Sequence, residues 1–322
     1  MYRPLVRTRH SRSLRLASAL PSLPSKCLTQ RRNRPHFSVD ITGVMGMGAV
    51  LSHAIRFCRY AETQGWLPQI SSSNPLYSVG PGVDCLTPYL ETATSRLALR
   101  PLRFQHSESF FHLPIPKSLE LEDASRIFWE FFRPREFVVA QVDALLADVA
   151  IQQFDLSLHY RGTDKFIEAN TVSFESFEDA IIRHTLAGGR LRHVFLATDD
   201  GSFEAKMRAR WPDTEFTTFN LGGPCAPGIP RHFSDISPQD KALESIVNML
   251  LLARAPTCIR SSSYMSGMSK ILNPELRTVT VNRTLKGRLL FPEWEIVSCE
   301  SNQGCPPGNN RQREHRSSRM TR

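Results

Sequence analysis

Residues 154–165 read FDLSLHYRGTDK. Phe154, Leu156, Leu158 and Tyr160 alternate with Asp155, Ser157 and His159, the period of a β-strand, and the run then breaks into Arg161, Gly162, Asp164 and Lys165. A turn needs only the glycine and one aspartate, so the surplus charge at this strand end asks for a partner. Reading onward from here decides the fold. A helix is expected from Ser176 to Leu186, with Ser176 and Asp179 as a capping pattern and Gly188-Gly189 as its stop. HVFLATDD, residues 193–200, is a continuous apolar run suited to a strand covered on both faces. A helix from Ser202 to Trp211 ends at Pro212, and EFTTFNL resumes the strand pattern at residue 215. Ser237-Pro238-Gln239-Asp240 is a helix start, followed by Leu243, Ile246, Val247, Leu250 and Leu251 at helical spacing. A strand at Thr257–Arg260, a short helix toward Ile271 and the strand RTVTVNR complete the series. Strands separated by helices in this way predict a doubly wound parallel sheet with right-handed crossovers.

The first half opens on a similar unit. FSVDITG (37–43) reads as a strand, GVMGMG (43–48) as a glycine loop, and Val50, Leu51, Ala54, Ile55 and Cys58 as the apolar face of a helix that stops before Gly65. LPQIS (67–71) is a second strand, and Arg135 to Val149 a helix bridging the halves. Between Asn74 and Pro116 the signals are weak. The expected class is therefore α/β with two Rossmann-type domains: 37–148, and a doubly wound domain at 149–301.

The chain carries a net charge of +9 over 322 residues, but the charge is unevenly spread. Residues 1–36 hold nine Lys/Arg and no acids, and residues 302–322 hold five Arg against Glu314 alone. Removing those tails from 40 basic and 31 acidic residues leaves 26 and 30, so the body is mildly acidic. Both tails are expected to lack structure. The first reads equally as an organelle presequence or as an extended translation start. No stretch approaches the ~18 apolar residues of a membrane span. Seven cysteines without a CxxC spacing point to neither a zinc site nor a disulfide framework, and so to a reducing compartment, by default the cytoplasm. Without a secretory signal the sequon at Asn282 reads as accidental.

Three polar clusters fall at predicted strand ends, the edge where open α/β sheets bind ligands. Arg161 of HYRGTDK can grip a phosphate bidentately, with Lys165 as a second cation, or the segment can be a solvated turn. Asp199 and Asp200 close the second strand, and one of them can simply cap the next helix. IRSSSYMSG (259–267) supplies hydroxyls and amides before a helix, a pattern suited to anions. Gly43, Gly46 and Gly48 form either a tight turn or a phosphate loop; Leu51 at the third-glycine position argues against a dinucleotide fingerprint. What lifts these signals is their convergence on one edge.

HYRGTDK, ATDD and a helix leading into an SSS loop resemble the signature of the α-1,6-fucosyltransferases, the superfamily of the core fucosyltransferases of animal N-glycans and the bacterial nodulation enzymes. The resemblance spans roughly residues 148–283, more loosely the glycine loop, and MLLLARAPTCIR (249–260) is particularly similar to the nodulation branch. It implies a GT-B fold, GDP-fucose as donor, and no metal or other cofactor. It further implies that His159 faces the guanine, that Arg161 holds the β-phosphate, and that Ser261 and Ser262 bind the diphosphate, with Gly46 and Gly48 lining the donor site. Asp199 and Asp200 match acids on which activity depends, and Lys165 and Glu168 fall near the residues associated with the catalytic base. Two departures stand out. Gly162 replaces a second arginine of the core enzymes, and the carboxylate that reads guanine has only Asn248 or Glu244 as its nearest counterpart.

The resulting expectation is an inverting transferase that moves fucose from GDP-fucose to a hydroxyl of a glycan or other acceptor. The alternatives are a transferase for another sugar nucleotide and an inert nucleotide- or glycan-binding protein. An acidic body fits a sugar acceptor better than a nucleic acid, although the basic tails could bind one.

Overall fold

A computed structural model of the chain describes residues 35–92, 102–104, 119–162, 172–223 and 234–282. Both tails, Lys165 and Glu168 lie outside these residues.

The first half builds a small parallel sheet. Strand β1 (His36–Ile41) runs through the glycine loop into α1 (Met47–Thr63), and β2 (Leu67–Ser71) returns parallel to it, with His36 opposite Leu67. Gly65 makes the return possible, because its φ of +71° suits a residue without a Cβ. Strand β4 (Leu102–Phe104) adds to the other side of β1. β3 (Leu90–Thr92) and β5 (Phe132–Pro134) form a separate antiparallel pair. Helix α2 (Leu121–Phe131) was not anticipated, though it buries Ala124, Ile127, Phe128 and Phe131 at helical spacing behind Glu122 and Asp123 in its first turn. α3 (Glu136–Asp148) occupies the expected span and reaches the second half through Asp143, 3.6 Å from Arg254.

Among the described residues the second half holds the expected five strands. They are β6 (Leu156–Tyr160), β7 (His193–Thr198), β8 (Glu215–Thr217), β9 (Thr257–Arg260) and β10 (Arg277–Thr280), all parallel in the order β10-β9-β6-β7-β8. Between them run α4 (Phe174–Leu186), α5 (Gly201–Arg210), α6 (Pro238–Leu252) and α7 (Tyr264–Leu272). One expectation is corrected: α4 begins two residues before Ser176, because Ser173 is its cap and accepts the Ser176 N–H. Ser237 caps α6 with Pro238 in the first turn, as expected.

The pleat sorts the central residues onto two faces. Leu156, Leu158, Leu196 and Ile259 point toward α4 and α5, where Phe177, Ile181, Phe203 and Met207 bury them. Phe195, Ala197 and Cys258 point the other way, into a core that continues through α6 and α7 to α1, α2 and β1. His159 is level with Ala197 on one side and Arg260 on the other. Step-two alternation then sets His159, Arg161, Asp199 and Arg260 on this second face, turned toward the N-terminal half.

Candidate functional site

β6, β7 and β9 end side by side, and their loops are stitched together. The Arg161 backbone N–H donates to Ser261 Oγ at 2.9 Å, and the Ser261 N–H donates to the His159 carbonyl at 2.9 Å. The Ser261 hydroxyl also reaches that carbonyl, at 3.3 Å. Ser261 is thus wholly buried and fixes the start of the HYRGTDK loop. Arg161 Nε lies 3.8 Å from Asp199 Oδ2, with the two side chains only 18% and 9% exposed. A carboxylate this sheltered needs a cation beside it, so Asp199 holds the guanidinium at the mouth of the sheet. Asp200 does something else. Its Oδ1 accepts the Ser202 N–H at 2.9 Å and the Ser202 hydroxyl at 2.7 Å, making it the cap of α5.

The serine loop rests on a residue that the motif reading passed over. Arg260 is 2% exposed, and its Nη1 donates to the Ser263 carbonyl at 3.2 Å and to Ser266 Oγ at 2.8 Å. Ser263 caps α7 by accepting the Met265 N–H, and the Ser262 N–H points to Asn282 Oδ1 at 2.7 Å. The signal for Arg260 was present in the sequence: a charged residue closing the otherwise uncharged strand TCIR.

The glycine loop meets this turn from the other half. A Cβ on Gly48 would sit 2.7–2.8 Å from the backbone of Tyr264 and Met265, so Gly48 is a close-approach glycine that lets the first turns of α1 and α7 touch. The space that a phosphate would need at Gly48 is filled by α7. Gly46, the N-cap of α1, has nothing within 4 Å of such a Cβ, and is the glycine open to a ligand. Gly43 is buried at the end of β1. Tyr77, also unforeseen, ties the halves together: its buried hydroxyl accepts the Met47 N–H at 2.9 Å and pairs with Ser245 of α6. Burial pushes its pKa up, while the Met47 and Ser245 contacts and the nearby Arg161 charge pull it back.

Helix α6 sets Glu244 and Asn248 one turn apart, facing the loop after β8. Glu244 Oε2 accepts the Leu221 N–H at 2.8 Å, and Asn248 Nδ2 donates to the Phe219 carbonyl at 3.1 Å. Asn248 Oδ1 is buried without a hydrogen-bond partner among the described residues. Gly162 also finds its reason. Tyr160 stacks on Phe203 at 3.9 Å with the rings 2° apart, and the phenol lies over Gly162 where any Cβ would collide with it. An arginine at this position has no room behind a tyrosine so held. The Tyr160 hydroxyl reaches the Val172 carbonyl at 3.4 Å, so residues 161 and 172, which flank the segment with Lys165 and Glu168, are both anchored at this edge.

His159, Arg161, Asp199, Ser261, Ser262 and Gly48 thus converge, with Glu244 and Asn248 on the flanking helix. Among the described residues no three His, Cys, Asp or Glu side chains gather where they could hold a metal ion, and no helix is long and apolar enough to cross a membrane. A separate cavity of about 330 Å³ between Trp66, Glu62, Arg126 and Glu130 lies at the far end of α1, roughly 25 Å along the helix from Gly46. Its charges are taken up by an ion-pair network, and it takes no part in the site.

No protein-family model and no curated protein matches the sequence. Solved structures do match. NodZ α-1,6-fucosyltransferase soaked with GDP-fucose superposes with a TM-score of 0.50 at 15% identity, over 74% of this chain and 93% of that one. Fucosyltransferase NodZ from Bradyrhizobium gives 0.50 at 16%, over 74% and 94%. At such identity the likeness is one of fold, and the GT-B relationship that the motifs implied is borne out at that level: the chain has the α/β fold of the NodZ fucosyltransferase.

Proposed function

We propose that the protein is a glycosyltransferase that moves fucose from GDP-fucose to a hydroxyl of a glycan or other acceptor, with inversion at the anomeric carbon. The observation that carries this reading is the Arg161–Asp199 pair on the carboxyl edge of two central strands, beside the serine turn that opens α7. Such an edge suits a diphosphate: a guanidinium presents a planar fork to phosphate oxygens, and a helix N-terminus favours negative charge. The fold supports it too, since the NodZ structure that shares it was soaked with GDP-fucose.

In this reading Glu168 takes the acceptor proton as the acceptor oxygen attacks the anomeric carbon. The bond from that carbon to the β-phosphate oxygen breaks with its electron pair staying on GDP, and Arg161 and Lys165 stabilise the charge that develops there. Fixed cations thus do the work that a metal does in other transferases. His159, Glu244 and Asn248 are assigned to recognition of the guanine; the buried Asn248 Oδ1 offers an acceptor to a ring or amino N–H. A second reading, a different sugar nucleotide, is favoured by one feature: of the two nearest counterparts of the expected carboxylate, Asn248 is an amide and Glu244 already accepts the Leu221 N–H.

Thermal shift in the presence of a chelator separates these. GDP at about 100 times its Kd should stabilise the fold by about 2.7 kcal/mol, and UDP or ADP should not. Stabilisation by UDP or ADP but not GDP would overturn the donor assignment. Glu168→Gln should abolish transfer while leaving GDP affinity nearly unchanged; a variant that still turns over would remove Glu168 as the base.

A further inference from the structure

We infer that Arg260 is a positioning residue for the donor diphosphate: from beneath the serine turn, it sets the turn's peptide groups in the orientation that an anion requires. The inference rests on the functional reading above and adds a residue that this reading does not use. Arg260 is buried on the strand next to His159, and no part of its role depends on touching substrate.

The argument is one of peptide geometry. The Ser263 carbonyl accepts the Gly267 N–H of α7 at 3.0 Å and Arg260 Nη1 at 3.2 Å, while the Ser266 hydroxyl shares its one proton between that carbonyl, at 3.2 Å, and the Ser261 carbonyl, at 3.4 Å. Arg260 in turn fixes Ser266 Oγ at 2.8 Å, so one guanidinium reinforces the helix bond at the Ser263 carbonyl and reaches the Ser261 carbonyl through the hydroxyl. In a trans peptide the carbonyl and the following N–H point in opposite directions. With both carbonyls drawn inward, the N–H groups of Ser262 and Tyr264 are turned outward. The Ser262 N–H is engaged by an oxygen acceptor, Asn282 Oδ1 at 2.7 Å, whose place a phosphate oxygen would take.

Charge adds to geometry. Arginine stays ionised in proteins; burial raises the pKa of Cys258, and the Ser157 contact and the Arg260 charge act against that rise. A buried charge is costly, and an apolar side chain of similar volume often does as well for stability alone. Beneath an anion site the same charge attracts the ligand through protein rather than through water, where it would be screened. Gly48 packs against the next peptide, Tyr264–Met265, and closes the turn on the side of α1.

The test compares GDP with guanosine, which has the same base and no phosphate. Calorimetry gives the GDP affinity, and ligand-observed NMR gives the guanosine affinity. Arg260→Met should weaken GDP about 10-fold, the scale of one lost hydrogen bond involving a charged group, and leave guanosine unchanged, and Arg260→Lys should recover part of the loss. If Arg260→Met does not fold, Ser266→Ala decides by the same criterion, with a smaller loss confined to GDP. Equal losses for the two ligands, or no loss for either, would overturn the inference and leave the transferase reading standing. A parent protein that binds no GDP would instead remove that reading, and this inference with it.

Discussion

The glycine loop shows how one residue type serves two purposes within three positions. Gly46 and Gly48 read alike in the sequence, as parts of a possible phosphate loop. In the structure Gly48 is a contact between helices, whereas Gly46 opens onto empty space. The distinction was not legible, because it depends on Tyr264, more than 200 residues away in the chain. Gly48→Ala should therefore cost about 1–3 kcal/mol, the range for overpacking a tight contact, since the opposing atoms are backbone and cannot swing aside. Gly46→Ala at the α1 N-cap should cost less, about 0.5–1 kcal/mol, because alanine is a poorer cap than glycine while nothing opposes its Cβ. Urea unfolding of the two variants checks both, and equal losses would return Gly48 to an ordinary loop role. The paired aspartates divide in the same manner. Asp199 stands by Arg161, while Asp200 caps a helix, and only the structure tells which is which.

At the scale of elements, the C-terminal sheet was the most readable part of the chain. Its strands are short runs of β-branched and aromatic residues between glycines, prolines and helix caps, so local signals and tertiary placement agree. LPQIS and TCIR fall on the expected residues without adjustment. Helix α2 escaped notice because the preceding stretch gave no start signal: its N-cap is Glu120, which makes no side-chain capping bond. The start of α4 was misplaced for the opposite reason, since two serines competed as caps. Ser173 accepts the Ser176 N–H at 3.3 Å, and Ser176 sits inside the first turn. Ser173→Ala is accordingly expected to cost about 1 kcal/mol, as for a lost N-cap, and Ser176→Ala less than half of that. Reversed losses in chemical denaturation would restore the original capping assignment.

At the scale of the molecule, composition alone located a mildly acidic body between two basic tails, but not how its halves meet. They meet through one core. Phe37, Leu51 and Phe128 from the first half belong to the same cluster as Ile246, Met268 and Leu276 from the second. This core also sets the response to alkali. Burial raises the Cys85 thiol to about 12 and the Cys258 thiol to about 11, both from an ordinary 9.0, and raises Tyr89 to about 12 from 10.0. Each group holds its proton more tightly when folded. Stability should therefore be flat in these groups below about pH 9 and fall as pH rises from 9 toward 12, where the unfolded chain releases protons that the folded chain keeps. Melting temperatures across that range, taken under reducing conditions, should decline progressively; a flat profile to pH 11 would show that these groups are less buried than described.

The central claim is that the charge after LSLHY exists to hold a diphosphate. The parts of that claim legible in the sequence were Arg161, the acidic pair and the serine loop, since each sits at a strand end. The stitching by Ser261, the support from Arg260 and the reason for Gly162 required three-dimensional neighbours. Calorimetric titration of GDP into the parent protein and into Arg161→Ala, with Arg161→Lys alongside and folding verified by thermal melts, tests the claim most directly. Arg161→Ala should weaken binding by about 2–4 kcal/mol, the range for removing one partner of a buried charged contact, and Arg161→Lys should recover only part, because a point charge does not reproduce the planar fork. If the folded Arg161→Ala variant binds GDP as tightly as the parent, HYRGTDK is a charged turn and the site does not bind nucleotide as described.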